Sequence, residues 1–422
     1  MYELTTLDNG LRILTVTMPH VQSVTLGCFL RVGSRYEPAE ISGASHFIEH
    51  MLFKGTGRWP TPRAIAEAIE GKGGVLNAST GLETTLYWAK VAAPHVRRAF
   101  DVLSDMLLDP SFDPVEIEKE RGVIGEEISY SLDTPDNLAQ ILVNELQWPD
   151  HPLGRDVAGS RESLGRLTRE ALLAYLAAHY RPANTIVGLA GQIGHKEAVA
   201  LAESHLGHWQ PGPEMAWEGA PPNGHGPRMR LEQRRTEQMH LVFSFAGPSR
   251  KDPDRFAVRL LNVILGEAMQ SRLFQEVRER LGLAYSVDSY VTTLEDTGAV
   301  GIYAGVAPGR AEEAARAILG ELDRVRQEAV PEDELANAKE FIRGRMALSL
   351  EDPFSIATWY VRQQLSREQV LEPDEALAHI DALEAADLQR VAAAVFCDER
   401  LNLAAVGPFG RNGKRFQRAV RF

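Results

Sequence analysis

Cysteine is nearly absent: the chain holds only Cys28 and Cys397, each beside apolar residues of strand-like character. Buried free thiols are therefore expected, not a disulfide or a cysteine metal pair. A positive surplus is missing too. With 45 basic and 58 acidic residues the formal net charge is −13, and no basic cluster tracks a phosphate backbone, so nucleic acid is not an expected partner. The acidic excess reads as a solvated surface and not as a trap for basic peptides. No run of about 18 consecutive apolar residues occurs, which argues against a helical membrane span. The opening residues MYELTTLDNGLRILTVTMPH lack a basic region followed by a continuous apolar run, so no secretory signal is expected and a cytoplasmic location is the expectation.

What is present suffices for two cores. A chain of 422 residues, 44% of them hydrophobic, has the length and composition of two ordinary globular domains. Asn9-Gly10, between two short alternating segments, reads as a hairpin turn. Trp209 to Met229 is crowded with Pro and Gly and carries no helical or strand period, so it reads as a linker between domains at 1–208 and 230–422.

The two halves repeat one another. YRPANTIVGLAG from Tyr180 is answered by FCDERLNLAAVG from Phe396, 216 residues later, and VTLGCFL from Val24 by HLVFSFA from His240 at the same offset. DPVEIEKERGVIGEEISYSLDTP from Asp113 is answered by VPEDELANAKEFIRGRMALSLEDP from Val330, 217 to 218 residues on. Three anchors at nearly one spacing argue for duplication. Helices are expected over Ser45–Met51, Pro94–Leu107 and Asp113–Leu132, and a strand over Thr84–Val91. Segregated strands and helices predict an α+β fold of two duplicated domains, each a mostly antiparallel sheet covered by helices on one face.

The chemistry-bearing segment is GASHFIEHMLFKGT. On a helix, His46 and His50 project from one face about one turn apart, close enough to share an ion. Glu49 lies on that face as well. Zinc favours imidazole nitrogen and carboxylate oxygen and, in a catalytic site, leaves one position for water. A carboxylate beside the ligands yet off the metal is placed to take that water's proton, and His-x-x-Glu-His is the inverted zincin order. Two incidental histidines are the bland reading. With 12 His in the chain, this spacing with Glu in place arises by chance only at about the few-per-cent level. A third ligand is needed. EIEKERGVIGEEI offers Glu120 and Glu127, seven apart on one helical face, and Glu126, about 100° round from Glu127. Spacing alone leaves the choice among them open.

HFIEHMLFKGT followed by ERGVIGEE resembles the pitrilysin and mitochondrial processing peptidase family, in particular its bacterial members similar to the processing-peptidase β-subunit. The resemblance implies one Zn2+ per chain held by His46, His50 and Glu127, Glu49 as general base, and Glu120 as an outer carboxylate steadying a ligand. It extends to SRLFQEVRERLGLAYSV from Ser271, where it implies that Arg278 and Tyr285 reach the substrate; both are suitable donors to a carbonyl oxygen that becomes negative during hydrolysis. No histidine lies between His240 and His379, and Gly344 and Arg345 stand near Glu127's counterpart. The 1–208 half is thus expected to be the zinc-binding catalytic domain and the 230–422 half a degenerate repeat carrying the Arg/Tyr pair.

The family also implies that the segment from Asn77 is an edge strand to which a peptide substrate adds, with Asn77, Ala78 and Ser79 as contacts. Asp133 and Asp136 are nearby acids that do not match the family's arginine-reading site residue by residue. Family members build a chamber from four such domains, so a homodimer, or a heterodimer with a paralogous subunit, is implied. The expected activity is a zinc-dependent endopeptidase acting on unfolded or presequence-like peptides. The alternative is a non-catalytic or partner-dependent peptide-binding subunit of a two-chain assembly.

Overall fold

The computed structural model describes residues 1–214, 216–222, 227–366, 370–409, 416–417 and 420; part of the expected linker lies outside them. The first half contributes strands β1 (Glu3–Thr6), β2 (Arg12–Thr17), β3 (Ser23–Leu30), β4 (Val75–Thr80), β5 (Thr85–Ala92) and β6 (Thr185–Gly191). They form one sheet in the order β1-β2-β6-β3-β5-β4. The second half contributes β7 (Arg228–Gln233), β8 (Met239–Gly247), β9 (Ala284–Thr293), β10 (Gly298–Val306) and β11 (Leu401–Gly407), in the order β7-β11-β8-β10-β9. Each sheet is antiparallel but for one parallel pair, β2 with β6 and β7 with β11. The parallel pair falls at equivalent repeat positions, because β3 answers β8 and β6 answers β11 as the sequence offset requires. Asn9-Gly10 does turn the chain between β1 and β2, with Gly10 at φ +90°, where a β-carbon would be strained.

Helices formed where the apolar period predicted them, at Ala44–Leu52, Val96–Leu108 and Pro114–Asp133. They and their neighbours cover one face of the first sheet, and Phe47, Ile48, Met51, Phe100, Leu103, Ile124 and Tyr87 lie in a single buried cluster there. An equivalent cluster in the second half joins Phe243, Phe245 and Ile302 to Ile318, Leu322 and Leu388. Both cysteines are free; Cys28 is buried on β3 and Cys397 only half-buried.

The compact units are not the contiguous segments 1–208 and 230–422. One comprises Met1–Ile128, Arg155–Glu218 and Ala347–Glu372; the other comprises Ser129–Gly154, Gly219–Met346 and Pro373–Phe422. The halves exchange a helix. Pro353–Leu365 lies on the second face of the first sheet, where Ala357, Tyr360, Val361 and Leu365 pack with Leu14, Val16, Phe29 and Ile186. Trp88 and Phe354 have ring centres 4.5 Å apart, and Lys90 pairs with Asp352 at 2.5 Å. In the other unit, Pro135–Gln147 sets Leu138, Ala139, Leu142 and Val143 against Val242, Ala404 and Val406. The sequence carries the reason. Strands such as VTLGCFL are apolar on both sides, which a sheet with one bare face would not tolerate, and burying each such side chain contributes about 1.5–3 kcal/mol. Pro135 and Pro353 lack an N–H and end the preceding helix, so each restarts the chain as a separate helix.

Among the described residues, no helix is long and apolar enough to cross a membrane.

Candidate metal centre

The motif helix, Ala44–Leu52, divides cleanly. Phe47, Ile48, Met51 and Leu52 are buried in the core, while His46, Glu49 and His50 occupy an arc of about 100° on the opposite side and stay half-buried. Its start is fixed by Gly43, at φ +95°, where a β-carbon would also meet the Ala158 carbonyl at 2.5 Å. Glu37 caps it: one carboxylate oxygen accepts from Gly43 N–H and the other from Ser45 N–H, each at 2.7 Å. Burial pushes the Glu37 carboxyl up to about 7, although both amide hydrogen bonds and Arg155 favour the anion.

The imidazoles of His46 and His50 have ring centres 4.7 Å apart. Both Nε2 atoms face one oxygen of Glu127, at 3.8 Å from His46 and 3.7 Å from His50. Among the described residues these three are the one group whose donor atoms converge within 4.8 Å. Tetrahedral zinc with bonds near 2.0–2.1 Å needs ligand atoms roughly 3.3 Å apart, and the two imidazole-to-Glu127 distances exceed that spacing by a few tenths of an ångström. Chemistry agrees with geometry. Burial, with a further contribution from His50, lowers the His46 pKa to about 4, which keeps the ring neutral and its nitrogen lone pair available. His46 Nδ1 is buried without a hydrogen-bond partner, so the Nε2 side is where this ring can make a polar bond.

His50 is oriented from behind. Glu120 Oε2 lies 2.9 Å from His50 Nδ1, and its other oxygen is 2.5 Å from Lys54 Nζ. With Nδ1–H donated to Glu120, His50 Nε2 is left as the acceptor that points at Glu127. Burial alone would raise the Glu120 carboxyl, but hydrogen bonds from Lys54 and His50 more than offset it and hold the group below the usual carboxylate range. The side chain of Glu120 is 6% exposed and that of Glu127 45%. This difference in depth separates the two glutamates that sequence spacing placed on one face. Glu126 is exposed.

Glu49 stands beside the trio without joining it. Burial is the largest influence on its carboxyl and raises the pKa, against hydrogen bonding from Thr80. The Thr80 hydroxyl donates to Glu49 Oε2 at 2.5 Å. Thr80 ends β4, the outer strand of its sheet, against which the motif helix packs. Asn77, Ala78 and Ser79 lie on the same strand. Sequence reasoning passes over Thr80 and Lys54, although both sit within the segments that carry the motifs. Alternation is the available signal for Thr80, which shares a face of β4 with Ala78.

Arg278 and Tyr285 belong to the other compact unit. The Arg278 guanidinium lies 4.7 Å from the Phe274 ring centre and 5.7 Å from that of Tyr285, and Tyr285 is 77% exposed. Asp133 ends the helix that carries Glu127, and Asp136 begins the exchanged helix.

The model of the insulinase family, peptidase family M16, matches residues 12–161, and that of the peptidase M16 inactive domain matches residues 166–342. An uncharacterized zinc protease of Streptomyces coelicolor is 35% identical over 410 residues, covering 96% of this chain and 89% of its own. The uncharacterized zinc protease YmxG of Bacillus subtilis is 34% identical over 406 residues, 96% of this chain and 98% of its own. A protease from Helicobacter pylori has a crystal structure similar to this one at TM-score 0.91, with 22% identity over 97% of this chain and 99% of that one. A chain of complex III2 from Candida albicans is similar at TM-score 0.85, with 19% identity over 100% of both. At those identities the two structures speak to fold alone.

Proposed function

Because the chain belongs to the insulinase family of peptidases, M16, we propose that it is a zinc-dependent endopeptidase in which His46, His50 and Glu127 hold the metal and Glu49 is the general base. The observation that carries the reading is the convergence of two imidazole nitrogens on one carboxylate, with a second, partly buried carboxylate beside them and off the ligand set. Held by His46, His50 and Glu127, zinc would supply Lewis acidity, the chemistry that activates water and polarises a peptide carbonyl. The protein's own groups do the rest. Glu49 accepts the proton of the attacking water and returns it to the leaving nitrogen, while Glu120 and Lys54 keep the His50 ring in one tautomer. Arg278 and Tyr285 are proposed as donors to the substrate carbonyl oxygen. In the alternative, a peptide-binding subunit without chemistry, such a complete donor set has no task.

Purified protein loaded with one zinc per chain is expected to cleave an unstructured peptide, to stop when a chelator removes the metal, and to recover when zinc is returned. Metal analysis in parallel with mass-spectrometric detection of products decides it; cleavage that survives complete zinc removal sinks the proposal.

The substrate is proposed to add to the free edge of β4, and the hairpin register says how. Gly81 N–H bonds to the Thr84 carbonyl. In an antiparallel ladder hydrogen-bonded and open pairs alternate, and the pairs run without a bulge from Thr80–Thr85 to Val75–Lys90. Asn77 and Ser79 therefore direct their main-chain groups to β5, while those of Ala78 and Thr80 turn outward, where the Ala78 N–H donates to Asn77 Oδ1 at 2.8 Å and the Thr80 main chain also bonds Glu49; a substrate strand would take the place of Asn77 Oδ1 on the Ala78 N–H. Asn77 and Ser79 offer side chains only. An A78P substitution removes an outward N–H, held in the free chain only by the exposed Asn77 side chain, and no ladder bond, so it is expected to fold normally and raise KM about tenfold, near the worth of one hydrogen bond. Steady-state kinetics with thermal unfolding check this; unchanged KM in a folded variant removes the edge as the docking strand.

A further inference from the structure

We propose that Thr80 is a positioning residue for Glu49, joining the substrate-facing edge of β4 to the base; this rests on the reading of Glu49 as the base and deepens it. A carboxylate has two equivalent oxygens and a rotatable terminal torsion. For a proton to be taken from a water at one defined place, one oxygen has to be fixed and the other turned to the water. The Thr80 hydroxyl donates to Oε2 at 2.5 Å and the Thr80 main chain bonds the same carboxylate, so this one residue holds Glu49 in a single orientation.

Thr80 is placed to link the substrate strand to the base. It lies on the outer strand, its main chain faces the open edge by the alternation derived above, and its side chain faces the motif helix. A peptide strand laid along Ala78 and Thr80 would pair with the main-chain carbonyl of the residue whose hydroxyl and main-chain N–H hold Glu49. Threonine suits the task because its β-branch restricts χ1 in a strand, so fixing the backbone also fixes the hydroxyl. The strand itself is steadied at its turn: Ser34 and Arg35 donate their backbone N–H groups to the carbonyls of Gly81 and Leu82, and the buried Arg35 guanidinium pairs with Glu83 at 2.6 Å.

The test compares T80V, which keeps the shape and removes the hydroxyl, with T80S, which keeps the hydroxyl, alongside E49Q and E49Q/T80V. Expected are a kcat for T80V lower by about 10- to 100-fold, the range typical of outer-shell partners, with KM within twofold, one zinc per chain and an unchanged unfolding midpoint. T80S should recover kcat to within about threefold, and T80V should cost nothing more in the E49Q background, since its effect runs through Glu49. The proposal is overturned if T80V turns over like the unaltered chain, if its loss comes with loss of zinc or fold, if T80S is as slow as T80V, or if the double variant loses further activity. Failure of the base assignment would be seen separately, as an E49Q chain that cleaves at the unaltered rate.

Discussion

Substitution of Glu49 by glutamine is expected to leave one zinc per chain and to lower kcat for peptide cleavage by about 10³-fold, within the range for losing a general base. The amide retains the size of the side chain and an oxygen that can accept from Thr80, so the motif helix and the hydrogen bond at 2.5 Å have no cause to rearrange. What disappears is the basic oxygen. Glu49 is the carboxylate beside the trio that takes no part in it, which is why metal content and turnover should separate in this variant. Metal analysis and single-turnover cleavage make the comparison. E49Q hydrolysing peptides at the unaltered rate would remove Glu49 from the mechanism, and zinc loss would move it into the ligand set.

The second large effect separates the two glutamates of the helix Pro114–Asp133. E127A removes the oxygen that both imidazoles face at 3.7–3.8 Å, so the chain should no longer hold stoichiometric zinc after dialysis and peptide cleavage should be abolished. E120Q acts one step back. It keeps all three donors but replaces the anion between His50 and Lys54 with a neutral amide, so zinc affinity should fall by about 10- to 100-fold while some activity returns at high zinc. Competition with a chelating dye measures both. If E120Q releases zinc as completely as E127A, or E127A retains it, the assignment of ligand and support is reversed.

Much of this site is local in origin and legible in the sequence. The i, i+4 spacing of His46 and His50 fixes their separation wherever the segment is helical, and Phe47, Ile48, Met51 and Leu52 dictate which side the core takes. Glu49 follows from the same periodicity. The duplication is legible for a related reason: offsets near 216 in the sequence reappear as β3 with β8 and β6 with β11. The exchanged helices are themselves repeat partners, each beginning at a proline, yet nothing in either segment says which sheet it will cover.

The sequence by itself determined the helices, the mostly antiparallel sheets, the histidine pair and the carboxylate beside it, because each depends on neighbours within a few residues. Tertiary structure alone decided the remainder. Glu120 and Glu127 share a helical face, and only the packing of that helix against the motif helix buries one beside Lys54 and leaves the other half-exposed before the imidazoles. Thr80 meets Glu49 across 31 positions of chain because β4 ends where the motif helix passes. The reciprocal exchange of Pro135–Gln147 and Pro353–Leu365 likewise depends on two apolar sheet faces, whose residues are scattered along the sequence, each needing cover.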